Sequence, residues 1–390
     1  MGAPTQTGEG LAAMTGMDLL LEERGDLLEG VRVGLVCHPA SMNRLATHSS
    51  VLVRERIGDR LTCLLGPEHG FYGHGDPGEP VAHDVHPGWR IPIYSLYGEH
   101  AESALAEMAA RVDTVIFDLQ DLGVRCYTYV HTLRLILETA ARKGLRVVVT
   151  DRAIPFGGCV DGPMRDPAFE SVIAPVATPF IYGMTPGETA HWMRAELALE
   201  LDLDVVPVTG YRRHSPSREL WPVWTPPSPA IRSWECALCY PVTVFTEALP
   251  QLDCARATPM AFRVLRADWL DAPALSARMN AADVPGLLCA PYHDVVDDNR
   301  CGIQLRVVDP RRFMPARAAV TLLHALQEEH GIDRIWADEK TDAGLFDRLM
   351  GTERVRRMLL DGEPPQRIVA DWEGERAAFL QQRRQSMLYP

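Results

Sequence analysis

The residues in this chain best suited to chemistry are acids and histidines that fall just after short runs of apolar, β-branched residues. Glu68 is the most pointed of them. It lies in Gly66-Pro67-Glu68-His69-Gly70, where a proline fixes the backbone and the flanking glycines free it, so the segment aims a side chain rather than continuing a helix. Cys37-His38-Pro39, Asp118, Gln120-Asp121 and Asp151-Arg152 follow similar runs. Carboxylates with histidines suit glycosidic chemistry. One acid protonates the leaving oxygen while a second carboxylate attacks or activates water, at separations of about 5–5.5 Å or 6.5–9.5 Å. The acid must hold its proton near neutrality, which burial or a neighbouring anion achieves. Glu68 beside Asp118 or Asp121 meets that requirement. Structural roles compete at each position. Asp151 and Arg152 suit an ion pair, Asp118 and Asp121 suit helix caps, and His38 suits a satisfied loop histidine.

Other chemistries find less support. The first apolar run ends in Cys37-His38-Pro39-Ala40 rather than a glycine fingerprint, and neither a phosphate loop nor a G-x-S-x-G elbow occurs. No cofactor is therefore expected. His69, His74, Asp76 and Glu79 make a ligand-rich loop that could hold a metal, but their spacing matches no zinc pattern. Cys236-x-x-Cys239 lacks a second pair and reads as core packing.

The elements that must position these residues alternate between strand and helix. Val31–Val36, Arg60–Leu65, Ile91–Tyr94, Thr114–Phe117 and Leu145–Val149 read as strands, with Leu203–Val208 as a further candidate. Helices are expected over Leu11–Leu28 and Tyr129–Lys143. Near-continuous apolar strands alternating with helices predict an α/β, Rossmann-like fold with a largely parallel, doubly wound sheet. Ligands of such sheets bind beyond the carboxyl ends of the strands. That rule places His38, Glu68, His69, Asp118, Asp121, Asp151 and Arg152 on one rim. The proline-rich stretch Trp221–Pro229 breaks the pattern. Residues 1–225 are thus expected to form the catalytic domain, and 226–390 a smaller α+β domain completing a cleft. Strands at Phe262–Leu265 and Ile303–Val308, and helices at Ala316–Glu329, Glu353–Leu360 and Trp372–Arg384, are expected there.

A chain of 390 residues is long enough for two domains. Its formal charge of −13 argues against nucleic acid as a partner, since phosphate binding needs a basic face. No apolar stretch is long enough to predict a membrane helix, and the first ten residues lack the basic start and apolar core of a secretory signal. Nine scattered cysteines suit reduced thiols. The expectation is a cytoplasmic protein acting on a small-molecule substrate.

The motifs also carry a family resemblance over nearly the whole chain. Val33-Gly34-Leu35-Val36, Gly66–Gly70, Tyr94-Ser95-Leu96-Tyr97-Gly98, Phe117–Asp121, Gly123–Tyr129, Asp161-Gly162-Pro163, Gly183-Met184-Thr185, Pro226–Pro229 and Phe346–Thr352 resemble those of the exo-β-N-acetylmuramidase (NamZ-like) family, glycoside hydrolase family 171. The resemblance implies removal of terminal N-acetylmuramic acid from peptidoglycan fragments, with Glu68 as the favoured general acid and the second carboxylate unassigned. It adds Arg125, Tyr127 and Arg256 to His38, His69, Asp151 and Arg152 as candidate substrate-binding residues. Five positions depart from the family's pattern: Tyr72 and Ile181 stand where arginine is common, Ile154 and Ala230 where asparagine is, and Cys254 where glutamate is. Each lost polar partner could cost about 1–3 kcal/mol of binding. Together they predict an altered substrate, a different reaction on the same scaffold, or a relative that binds without catalysis.

Overall fold

The computed structural model describes residues 13–214, 220, 224–294 and 301–390. The strands, in chain order, are β1 Val33–Val36, β2 Leu61–Gly66, β3 Asp84–Val85, β4 Pro92–Ser95, β5 Thr114–Phe117, β6 Arg146–Thr150, β7 Asp161–Met164, β8 Pro179–Ile181, β9 Asp202–Val206, β10 Val264–Ala267, β11 Leu287–His293 and β12 Cys301–Val307. Seven of them form one sheet in the order β3-β4-β2-β1-β5-β6-β9. Every pair in it is parallel except β3 with β4. Strands β1 and β5 are buried at every position, as strands covered by helices on both faces must be. The chain runs outward from β1 through β2 to β4, then returns to β5 on the other side of β1. The order therefore reverses between β1 and β5, the kind of place where such sheets open a crevice.

The C-terminal part holds a three-stranded antiparallel sheet, β10-β12-β11, with helices Ala272–Ala281 and Trp234–Thr243 against it, and helix Pro315–His330 packs on both of those helices. One apolar core runs from Val36 and Phe117 through Phe180 and Phe245 to Trp372 and Phe379. Polar ties reinforce the junction. The Asp161 carboxylate accepts from the backbone N–H groups of Ala316 and Arg317 at 2.8 and 3.0 Å, satisfying donors at a helix start that has no side-chain cap of its own. Near the chain's end, the Tyr389 hydroxyl donates to Asp151 at 2.6 Å.

Differences from the sequence expectations have local causes. The first helix covers only Gly16–Glu22 of the expected Leu11–Leu28, and a 3₁₀ turn follows at Gly25–Leu28. Thr15 and Asp18 form a reciprocal cap that starts it. Leu11 and Ala12 of that expectation lie outside the described residues, as do Trp221–Val223 of the proline-rich stretch. Residues 224–229 form neither helix nor strand. Strand β11 and helix Trp234–Thr243 were not legible as such, the latter because Pro241 sits inside it. No helix among the described residues is long and apolar enough to cross a membrane.

Candidate active site

Beyond β2 the chain turns back so tightly that a Cβ on Gly66 would lie 2.2 Å from the Phe71 amide nitrogen. Only glycine fits there. His69 and Gly70 then take positive φ, 71° and 77°, and the His69 conformation is held by a 2.8 Å hydrogen bond between its Nδ1 and the Gly75 carbonyl. Since a carbonyl only accepts, Nδ1 is the donor. This loop presents Glu68. The Gly78 N–H donates to its Oε1 at 2.7 Å, and the Thr128 hydroxyl donates to its Oε2 at 2.6 Å. Both oxygens are fixed, yet the side chain remains half-buried on the wall of a cavity.

The other wall comes from the C-terminal half. Glu247, at the end of the 3₁₀ turn Val244–Glu247, lines the same cavity together with Ala230, Tyr240, Arg256 and Phe262. Its carboxylate accepts from the Arg256 guanidinium, which also lies 5.7 Å from the Phe262 ring centre. About a third of the Glu247 side chain (32 %) reaches solvent, yet protein surrounds it, as befits a group recessed in a concave wall. Burial raises its pKa above the ordinary carboxylate value, Arg256 opposes the rise, and the charge of Glu68 adds to it. Tyr97, also in the wall, is pushed up to about 12 by burial and then by Glu68 and Glu247. Two carboxylates thus interact across one water-accessible space.

Of the seven residues expected on the rim, Glu68 and His69 line this cavity; of the three that the resemblance added, Tyr127 and Arg256 do; the other candidates do not. Asp118 is fully buried and ion-paired with Arg152 at 2.7 and 2.9 Å, and it also accepts from Ser49 and Thr150. Burial would raise its pKa, but Arg152 and these hydroxyl donors leave it below the ordinary value. The ion pair expected between Arg152 and Asp151 is therefore made with Asp118 instead. Asp151 accepts from Thr185, the Gly187 N–H and Tyr389, and burial still pushes it up to about 6. Asp121 accepts from the Gly123 N–H and Tyr182, and burial likewise takes it to about 6. His38 is fully buried, accepts from the Gln120 N–H at 2.8 Å, and has its pKa lowered to about 3, first by burial and then by Arg152. Arg125 is spent on the carbonyls of Pro163, Thr178, Leu349 and Met350, which knit the two halves together. Asp118 and Asp121 thus lie outside the cavity lining, and the second carboxylate that lines it with Glu68 is Glu247.

Sequence reasoning missed Glu247, Thr128 and Tyr240. Thr128 and Tyr97 fall inside motifs that were visible, whereas nothing around Glu247 marks it. Among the five departures from the family pattern, only Ala230 lines the cavity. Tyr72 packs on Phe71, Ile181 is buried in β8, Ile154 fills the space over Gly123 and Cys254 is buried. Among the described residues, no group of three or more histidine, cysteine or acidic side chains could hold a metal ion.

Comparison with known proteins agrees with this architecture. Residues 33–235 match the family model of the N-terminal domain of exo-β-N-acetylmuramidase NamZ, and residues 238–389 match the model of its C-terminal domain. The peptidoglycan β-N-acetylmuramidase NamZ of Bacillus subtilis is 29 % identical over 391 aligned positions, covering 98 % of this chain and 93 % of that protein. A DUF1343 family protein of Bacteroides fragilis superposes with a TM-score of 0.89 at 26 % identity, over 98 % of this chain and all of that one. A second from the same organism, 21 % identical over 97 % of this chain and 99 % of its own, shares the fold with a TM-score of 0.73. The chain belongs to the NamZ exo-β-N-acetylmuramidase family.

Proposed function

We propose that this member of the NamZ family is a glycosidase that releases a terminal N-acetylmuramic acid, or a close analogue, from peptidoglycan fragments, with Glu68 and Glu247 as its two carboxylates. The observation that carries the reading is that these two glutamates, from opposite halves of the chain, line one cavity. Glu68 protonates the glycosidic oxygen as the bond to the anomeric carbon breaks. Glu247 supplies the negative charge that stabilises the developing oxocarbenium ion, and water completes the hydrolysis. Arg256 is the guanidinium in the wall, and a lactyl carboxylate is the anion it suits. Because four of the five departures from the family pattern lie away from the cavity, they support a conserved substrate rather than a new one.

A second reading exchanges the two roles. It is favoured by the raised Glu247 pKa and by the two donors that satisfy Glu68 as a carboxylate. An aryl glycoside of MurNAc separates them, because an activated leaving group does not need protonation. The acid variant, E68Q under the first reading, keeps most of its activity on the aryl glycoside while losing it on a MurNAc disaccharide. E247Q loses both. The reverse pattern exchanges the roles, and full activity of both variants on the disaccharide rules out the pair.

We also infer a cytoplasmic place for the chain in recycling wall fragments. Its nine free thiols support a reducing compartment.

A further inference from the structure

A second polar crevice opens where the sheet order reverses. It lies beyond the carboxyl ends of β1, β5 and β6 and is lined by Asn43, Arg44, Gln120, Arg152 and Trp224. Its groups differ in how far they are committed. Arg152 is used up by Asp118 and the Met42 carbonyl. Gln120 is only 6 % exposed, and its amide nitrogen donates to the carbonyls of Asp121 and Ala153. Its Oε1 accepts nothing among the described residues, although it belongs to a side chain on the crevice wall. That oxygen is open to the crevice, so a ligand or water there can supply the donor it lacks. Arg44 pairs with Glu22 through Nη2 at 3.1 Å, and its Nη1 has no partner among the described residues. The Trp224 indole is fixed by donating Nε1–H to the Ile231 carbonyl at 3.1 Å and by packing edge-on with Trp234.

The crevice therefore offers one acceptor, one donor and a fixed aromatic surface. A ring hydroxyl both donates and accepts, and an apolar sugar face matches an indole. The Arg44 charge is already balanced by Glu22, and that of Arg152 by Asp118, so no net positive field calls for an anion. We propose that this crevice is a second saccharide-binding site, separate from the Glu68 cavity, in which a neutral pyranose hydrogen-bonds Gln120 and Arg44 and packs on Trp224. Tyr129 stands between the two sites: its ring contacts His38, which is bonded to Gln120, and also Tyr127 of the cavity wall. The inference does not depend on the roles given to Glu68 and Glu247.

The test is a titration of the full chain with N-acetylglucosamine, followed by ligand-observed saturation-transfer NMR. Binding should be detectable in the wild type and in E68A, and weakened about tenfold in R44A and in W224L, as the loss of one hydrogen bond or of the aromatic contact implies. An unchanged melting temperature for R44A would show that its fold is intact. Absence of binding in the wild type overturns the proposal. So does equal affinity in wild type, R44A and W224L, or a loss confined to E68A, which would put the sugar in the catalytic cavity. Displacement by equimolar inorganic phosphate would also overturn it, by making the crevice an anion site. Failure of the proposed hydrolysis is read separately, as absence of sugar release from a MurNAc disaccharide.

Discussion

Two groups of acids in this chain differ in what surrounds them. Asp118, Asp121 and Asp151 are fully engaged by arginine, hydroxyl and amide donors inside the protein. Glu68 and Glu247 are also hydrogen-bonded, but both line an open cavity. Proximity to the strand ends is shared by Asp118 and Glu68, so it does not distinguish a working acid from a structural one. Access does. A buried, saturated carboxylate stabilises a loop, whereas an anchored carboxylate with an open side can exchange a proton with a ligand.

The sharpest break in that contrast comes from the cavity. E68Q should lower turnover of a MurNAc disaccharide by about 10³-fold or more while leaving the melting temperature within a degree or two. Steady-state kinetics with a thermal melt on the same preparation checks both halves. D118N should do the reverse: removing one partner of a buried ion pair costs about 3–5 kcal/mol, read by urea denaturation, with the folded fraction keeping its kcat. A stable but inactive D118N would return Asp118 to the chemistry.

A smaller effect tests the coupling between the two glutamates. Arg256 lowers the Glu247 pKa against burial and Glu68, so R256Q should move that ionisation to higher pH. The corresponding limb of the kcat–pH profile would move to higher pH. No shift would mean that Arg256 does not tune Glu247.

Asp151 tests the buried group through pH. Its folded pKa of about 6 lies above the ordinary aspartate value, so its contribution is fully present below about pH 4 and is lost as pH rises toward 6. D151N should flatten the dependence of unfolding free energy on pH across that window, whereas a slope equal to wild type would assign it to other groups. The smallest change expected is from A230N, which restores the family's amide at the one departure lining the cavity. It should alter KM for a MurNAc glycoside by a few-fold with kcat nearly constant, since one uncharged hydrogen bond is worth about 1 kcal/mol.

Much of the frame was legible because it depends on local pattern. Val33–Val36, Thr114–Phe117 and Arg146–Thr150 are strands because unbroken β-branched and apolar runs are stable only with both faces covered. The reach of Tyr129–Lys143 followed from its apolar stripe and the Gly144 that ends it in a left-handed turn. Glu68 was legible for the same reason, since a proline and glycines within five residues announce a shaped loop. Glu247 carried no such mark. It lies in Val244-Phe245-Thr246-Glu247-Ala248, where a glutamate on a short turn reads as ordinary surface.

By itself the sequence determined the parallel sheet, the strand-end loops and the glutamate that one of them aims. Only the tertiary structure decided which acids line the cavity. Whether a carboxylate meets Arg152 in the interior, as Asp118 does, or Glu68 across a cavity, as Glu247 does, depends on segments distant in the chain coming together. Charge pairing and desolvation act through space, and no local pattern of residues encodes them.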